Sequence, residues 1–335
     1  MHKQSIQEAI MHNTAGRTFA AVVFVVLSSC SVVVPVTAQP EPEATSLFGK
    51  PLYPMELPAE ARTQLEANLA QAEAAYAKDP KSEDALIWLG RRQAYLWRYR
   101  DAIGTFTKGI ALHPDSYKLY RHRGHRYITV RDFDRAVSDL EKAAALIANV
   151  PDEVEPDGAP NKYGKPRSTS HSNIWYHLGL AYYLKGDFTS ALRAYQQCMK
   201  FSTNDDMRVA TLDWLYMTYR RLGRHGAARQ LLGQVGEKMD ILENDSYHKR
   251  LLMYKGAIKP EQLLDTANAD DLTIATQGYG VGNWYFVEGN RAKAREIFEK
   301  VLAGRQWAAF GYIAAEVDLK RLKDVPKTAG PGRRS

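Results

Sequence analysis

A spacing of 34 residues runs through the middle of this chain and limits what it can fold into. Gly90, Tyr99, Ala102 and Phe106 recur 34 positions later as Gly124, Phe133, Ala136 and Leu140, and residues 175–188, followed by Ala191 and Tyr195, repeat the pattern once more. A fixed period of this length marks a two-helix unit that buries its apolar face only by stacking on its neighbours. The residue types fit that geometry. Gly90, Gly124 and Gly179 fall on the first helix of each pair, where a missing side chain lets the second helix cross closely. Ala102, Ala136 and Ala191 do the same from the second helix, and Tyr99, Phe106, Phe133, Phe188 and Tyr195 fill the space left over. Gly186 suits a left-handed cap between helices, and Pro114 stands where a second helix must stop.

The pattern continues more weakly. Tyr219, Gly223, Ala228 and Leu232 stand 37 residues beyond Tyr182, Gly186, Ala191 and Tyr195, and a later unit carries Gly282, Tyr285, Gly289, Ala294 and Phe298. A degenerate pair is expected between them, at 247–266. Residues 59–78 read as a long helix before the first full repeat, and residues 307–322 as a terminal capping helix. The expectation is an all-α, right-handed α-solenoid of helix pairs over 59–322, with a linker at 39–58 and a flexible C-terminal tail at 323–335. Two features depart from the period. Trp97 and Arg131 occupy the turn positions where glycine is usual, and an insertion at 149–171, rich in Pro and Gly, cannot be helical throughout. A loop of this length inside a compact array is either a binding element or a passive surface excursion.

The first 40 residues are of another kind. Arg17 precedes an apolar run at 19–27, then small residues, then a second apolar stretch at 32–36. That order is an export signal, removed from the mature chain. Two cleavage sites compete. One follows Thr37-Ala38, giving a signal peptide of 1–38; the other is a lipobox at Leu27-Ser28-Ser29-Cys30, in which Cys30 is lipidated and anchors the protein to a membrane. No later apolar run approaches the roughly 20 residues of a transmembrane helix. Cys30 and Cys198 are the only cysteines, so no intramolecular disulfide is expected in the mature chain. The net charge of +7 is spread among nearly as many acids as bases and reads as a surface property.

Trp175, Leu178-Gly179, Tyr182, Gly186, Ala191 and Tyr195 together resemble the tetratricopeptide repeat. The resemblance implies a solenoid whose first helices line a concave face that binds a partner protein or peptide. Placed on those helices, the residues expected to face inward are Arg91, Tyr95, Lys118, Arg121, His125, Tyr176, Tyr183, Arg220, Arg221, Tyr279, Asn283 and Phe286. Arginine forks onto carboxylates and aromatics give contact area at low entropic cost, so the set suits an acidic peptide or a free C-terminus. Arg91 stands where carboxylate-clamp repeats carry Asn, which makes that likeness partial.

Catalytic and cofactor signatures are lacking, and the chain reads as a non-enzyme without cofactor. His122 and His125 are three apart on a helix, but three arginines surround them and would repel a metal. Neither a His-Glu-x-x-His motif, a Gly-x-Ser-x-Gly elbow nor a phosphate-binding loop occurs. The glycines at 278–282 serve helix packing. An export signal removes the protein from nucleic acid. From about Met239 onward the layout also resembles the NlpI-like repeat lipoproteins, through Tyr254-Lys255-Gly256, Lys259-Pro260-Glu261, Asn283-Trp284-Tyr285 and a helix after Trp307. That resemblance implies a homodimeric envelope adaptor bringing a cell-wall hydrolase to an envelope protease. The expected function is therefore a cell-envelope interaction scaffold. The alternatives are an assembly factor for a membrane complex that uses its convex face, and an unrecognised hydrolase.

Overall fold

The computed structural model describes residues 41–158, 161–264 and 269–324. The segment read as a signal peptide, with both expected cleavage sites and Cys30, and the tail beyond 324 lie outside the described residues. After a two-stranded antiparallel hairpin, β1 (Ala44–Thr45) and β2 (Pro51–Leu52), the regular elements among the described residues are helices. The helices are α1 (Ala59–Lys78), α2 (Glu83–Tyr95), α3 (Tyr99–Leu112), α4 (Tyr117–Thr129), α5 (Phe133–Ile147), α6 (Ser170–Lys185), α7 (Phe188–Phe201) and α8 (Asp205–Arg221). They continue as α9 (His225–Leu232), α10 (Asp245–Tyr254), α11 (Pro260–Leu264), α12 (Asp271–Val287), α13 (Arg291–Leu302) and α14 (Phe310–Asp324). Successive helices pack as pairs, α2 on α3, α4 on α5, α6 on α7 and α12 on α13, so the fold is an α-solenoid. α10 and α11 fill the place of the degenerate pair. Among the described residues no helix is long and apolar enough to cross a membrane.

Local chemistry sets the helix starts. Ser82, Ser116, Asp132, Asp187, Asn204, Asp270 and Asn290 each accept a backbone N–H three residues on. Such caps are worth about 1 kcal/mol apiece. Thr169 and Ser172 form a reciprocal capping box that starts α6 directly after the long loop.

The small residues act where the period placed them. A Cβ on Gly90 would stand 2.4 Å from the Phe106 ring, and one on Gly179 would stand 2.7 Å from Tyr195. The same closeness recurs at Gly124 against Leu140 and at Gly282 against Phe298.

The two turns without glycine close in the left-handed region all the same, with φ of 64° at Trp97 and 69° at Arg131. That conformation costs a non-glycine residue of order 1 kcal/mol. Both side chains are held by the C-terminal end of the array. Trp97 packs on Trp307 with ring centroids 5.1 Å apart, and Arg131 donates to Glu316 Oε2 (2.9 Å) and to the Trp307 carbonyl (2.8 Å). The strain is offset by contacts between the first repeats and the last helix.

The segment read as a linker at 39–58 contains the hairpin, and it belongs to the same closure. Leu47 N donates to Glu316 Oε1 (2.7 Å), and Trp307 Nε1 donates to the Tyr53 carbonyl (2.6 Å).

Candidate binding site

The twelve residues expected to line one concave groove part into two groups, because the chain fills much of that side itself. α14 packs against α6, α12 and α13. Beneath it lies a closed polar junction. Tyr279 Oη is 2.9 Å from Tyr183 Oη and 3.0 Å from Asp318 Oδ2, and Tyr183 Oη is 3.2 Å from Asn283 Oδ1. Arg221 donates to Asn283 Oδ1, pairs with Asp318 and lies 4.2 Å over the Phe286 ring. Tyr176 accepts from Trp214 Nε1 (2.8 Å) and meets Tyr247 Oη (3.1 Å). Tyr183, Tyr279 and Asn283 are buried at 1% exposure or less. The reading of Tyr176, Tyr183, Arg221, Tyr279, Asn283 and Phe286 as open groove is therefore corrected: these groups contact one another or buried neighbours within the protein, with Asn283 Nδ2 left without a partner and Phe286 half-buried. Arg220 belongs elsewhere too, pairing with Glu288 (2.7 Å) and donating to Tyr216 in a separate surface cleft with Tyr254 and Trp284.

At the other end, the described residues of the loop, 148–158 and 161–169, fold over α2 and α4 as a strap. Glu155 N donates to the Ser168 carbonyl (3.0 Å), Ser170 N to the Glu153 carbonyl (2.9 Å), and Val154 bridges Thr169. Arg91 donates to the Pro156 carbonyl and Arg92 to that of Gly158, each at 2.8 Å. Gly158 leaves no room for a side chain, since its Cβ would meet Tyr95 Oη at 2.3 Å.

Between strap and helices is a cleft of about 180 Å³. It is lined by Arg91 and Tyr95 from α2, Phe106 from α3, and Arg121, His122, His125 and Arg126 from α4, with Glu155, Pro156, Asp157 and Ser168 from the strap. Arg91, Tyr95, Arg121 and His125 were expected from the sequence. Lys118 sits at the exposed rim, paired with Glu153 at 2.9 Å.

Arg121 pairs with Glu155 (3.1 Å) and donates to His122 Nδ1 (2.8 Å), which makes that nitrogen the acceptor and puts the imidazole proton on Nε2. Arg121 Nε is buried without a hydrogen-bond partner. Arg126 lies 5.6 Å over the Tyr99 ring, and among the described residues no carboxylate pairs with its guanidinium. Burial pushes Arg126 down to about 10, against the opposing pull of Tyr99 and Tyr95 and with the help of Arg121 and Arg91. Burial, reinforced by the neighbouring arginines, holds His122, His125 and His177 well below the usual imidazole range. They are neutral at pH 7, and His125 rests on His177 with ring centroids 4.3 Å apart.

Arg126 and His122 escaped the groove assignment. The signal for them was the spacing 121, 122, 125, 126, which puts all four side chains on adjoining faces of one helix.

Paired helices held by small residues against aromatics, repeated along a chain, define a helical-repeat scaffold of the kind that binds other proteins. Residues 172–205, which cover most of α6 and all of α7, match the tetratricopeptide repeat family, and the chain carries a tetratricopeptide repeat there. The BBSome complex member BBS4 of Bos taurus is 24% identical over 154 residues, 46% of this chain and 25% of that protein. The match thus spans about a quarter of the length of that curated relative. Among solved structures the chain is similar to YrrB, a TPR protein with an unusual peptide-binding site (15% identity, 74% of this chain and 97% of that one, TM-score 0.40). It is similar also to a tetratricopeptide repeat protein from Parabacteroides merdae (15% identity, 78% and 94%, TM-score 0.46).

Proposed function

We propose that this protein is an exported, non-catalytic interaction scaffold of the bacterial cell envelope, which holds a partner protein or peptide on the face formed by α2, α4 and the 148–169 strap. The observation that carries this reading is the strap itself. It is tied down by hydrogen bonds and ion pairs, yet it presents Val150, Val154 and Tyr163 at 37%, 57% and 53% exposure. Exposed apolar side chains on a tethered loop are what a partner segment packs against, with polar groups at its edge. The self-filled junction under α14 favours this end for a partner. The resemblance to NlpI-like lipoproteins suggests an envelope protease or cell-wall hydrolase as that partner, and a homodimer as the assembly.

The test is a crosslinked pull-down from envelope extracts with the mature chain and a Lys118→Glu/Val154→Asp variant, both checked for equal helicity. A protein captured by the first and lost from the second supports the reading. Identical captures overturn the placement and move the partner to another face. Cell fractionation with fatty-acid labelling of wild type and Cys30→Ser separates the two export routes: label lost in the variant means a lipid anchor, and no label in either means cleavage after Ala38.

A further inference from the structure

The cleft under the strap has a chemistry of its own, apart from the exposed partner face. We infer that it is a binding site for a small free monocarboxylate with an apolar body. Charge is the first argument. Arg91, Arg121 and Arg126 face the cleft, against Glu155 and Asp157, while His122 and His125 are neutral. One positive charge is left over in a site largely removed from water, and an uncompensated buried charge is costly. A single negative charge brings the site to balance; the dianion of phosphate overshoots it.

Donor geometry is the second argument. Arg121 Nε has no acceptor, and the Arg126 guanidinium has no carboxylate partner among the described residues. Arg91, by contrast, is engaged with the Pro156 carbonyl, and the other face of Arg121 with Glu155. The groups left over are thus donors of the planar kind that match a carboxylate.

The remaining walls are the third. Ala94, Tyr95, Phe106 and the imidazoles of His122 and His125 form a ring-lined side. His122 is stacked on Phe106 with centroids 5.7 Å apart. The volume of about 180 Å³ compares with the roughly 150 Å³ of a protein cavity that holds benzene. Room therefore exists for a short or single-ring carboxylate and for little more.

The test is direct titration of the purified mature protein, by calorimetry and by thermal shift, with benzoate, propionate, the neutral isostere benzamide and inorganic phosphate. Saturable binding of benzoate or propionate with a Kd of about 1 mM or tighter is expected. Benzamide should bind at least about tenfold more weakly, the difference a charged hydrogen bond makes, and phosphate, which lacks the apolar body, should be weaker too. Arg126→Met should lose carboxylate binding while its unliganded Tm equals or exceeds that of wild type. Arg126→Lys, which keeps the charge and loses the fork, should fall between the two. Absence of saturable binding by both carboxylates, equal affinity for benzamide or phosphate, or full affinity in a folded Arg126→Met overturns the inference. If Arg126→Met does not fold, the contrast between benzoate and benzamide on wild type decides. None of these readouts involves a protein partner, so the site stands or falls separately from the scaffold reading.

Discussion

Arg131 Nε lies 2.9 Å from Glu316 Oε2, and the two side chains, 185 positions apart in sequence, are 2% and 1% exposed. The pair joins the strained turn of the second repeat to the last helix. Breaking a buried pair from one side leaves a bare charge and costs about 3–5 kcal/mol. Glu316→Ala is therefore expected to lower the unfolding free energy read from urea curves by that much. Arg131→Gly relieves the backbone strain, yet it strands Glu316 and should also destabilise. The double variant Arg131→Gly/Glu316→Met should recover part of the loss, which a set of four urea curves would show.

Glycine substitutions should split by what each residue touches. Gly179→Ala forces a Cβ to within 2.7 Å of the Tyr195 ring and should destabilise by about 1–3 kcal/mol, the ordinary range for overpacking. Gly104, inside α3, has nothing within 4 Å of where its Cβ would stand. Gly104→Ala should stabilise by about 1 kcal/mol through helix propensity alone. Equal effects of both variants on thermal unfolding would contradict the packing role of the repeat glycines.

The repeat was legible because it is local. Gly90 on Phe106 and Gly179 on Tyr195 are contacts within one helix pair, written in the chain at a constant interval. Even Trp97 and Arg131 announced themselves as turn residues of the wrong type. What the sequence hid was long-range. Tyr183, Arg221 and Asn283 carry the groups that a binding groove would, and nothing local distinguishes a polar side chain awaiting a ligand from one awaiting Asp318. The strap was visible as an insertion, but its docking on α2 and α4 depends on Gly158 and Arg91 meeting across 67 positions.

Acid should loosen the protein through its buried imidazoles. His122, His125 and His177 have folded values depressed below the ordinary 6.5, so their contribution is present above that pH and is lost as pH falls below it. Each adds a slope of about 1.4 kcal/mol per pH unit, roughly 4 for the three. Asp213 works the other way. Burial, opposed by Arg250, pushes it up to about 7, so its contribution is complete below the ordinary carboxylate range and is lost as pH rises through 7. Between pH 6 and 5 it offsets one histidine. Urea unfolding at several pH values should thus show Asp213→Asn losing stability on acidification more steeply than wild type, whatever its absolute stability.

Asp206 ties the strap to the rest of the array, and its loss should be felt at the binding end. The carboxylate is fully buried on α8. Its Oδ1 accepts backbone N–H groups from Leu242 (3.1 Å), Glu243 (3.0 Å) and Asn244 (2.9 Å), while Oδ2 pairs with Arg167 of the strap at 2.9 Å. Asp206→Asn keeps the shape but turns one acceptor into a donor. An amide nitrogen must then face either the backbone N–H groups or the guanidinium, and either arrangement leaves buried donors unmatched, at about 1–3 kcal/mol per group. Arg167 also pairs with the exposed Asp240, so the strap has a second, weaker tether. The expected signature is therefore local. Trypsin should cut at Lys162 or Arg167 faster in Asp206→Asn than in wild type, with cleavage elsewhere unchanged. Uniformly faster cleavage at all sites would mean that Asp206 stabilises the fold as a whole and not the strap in particular.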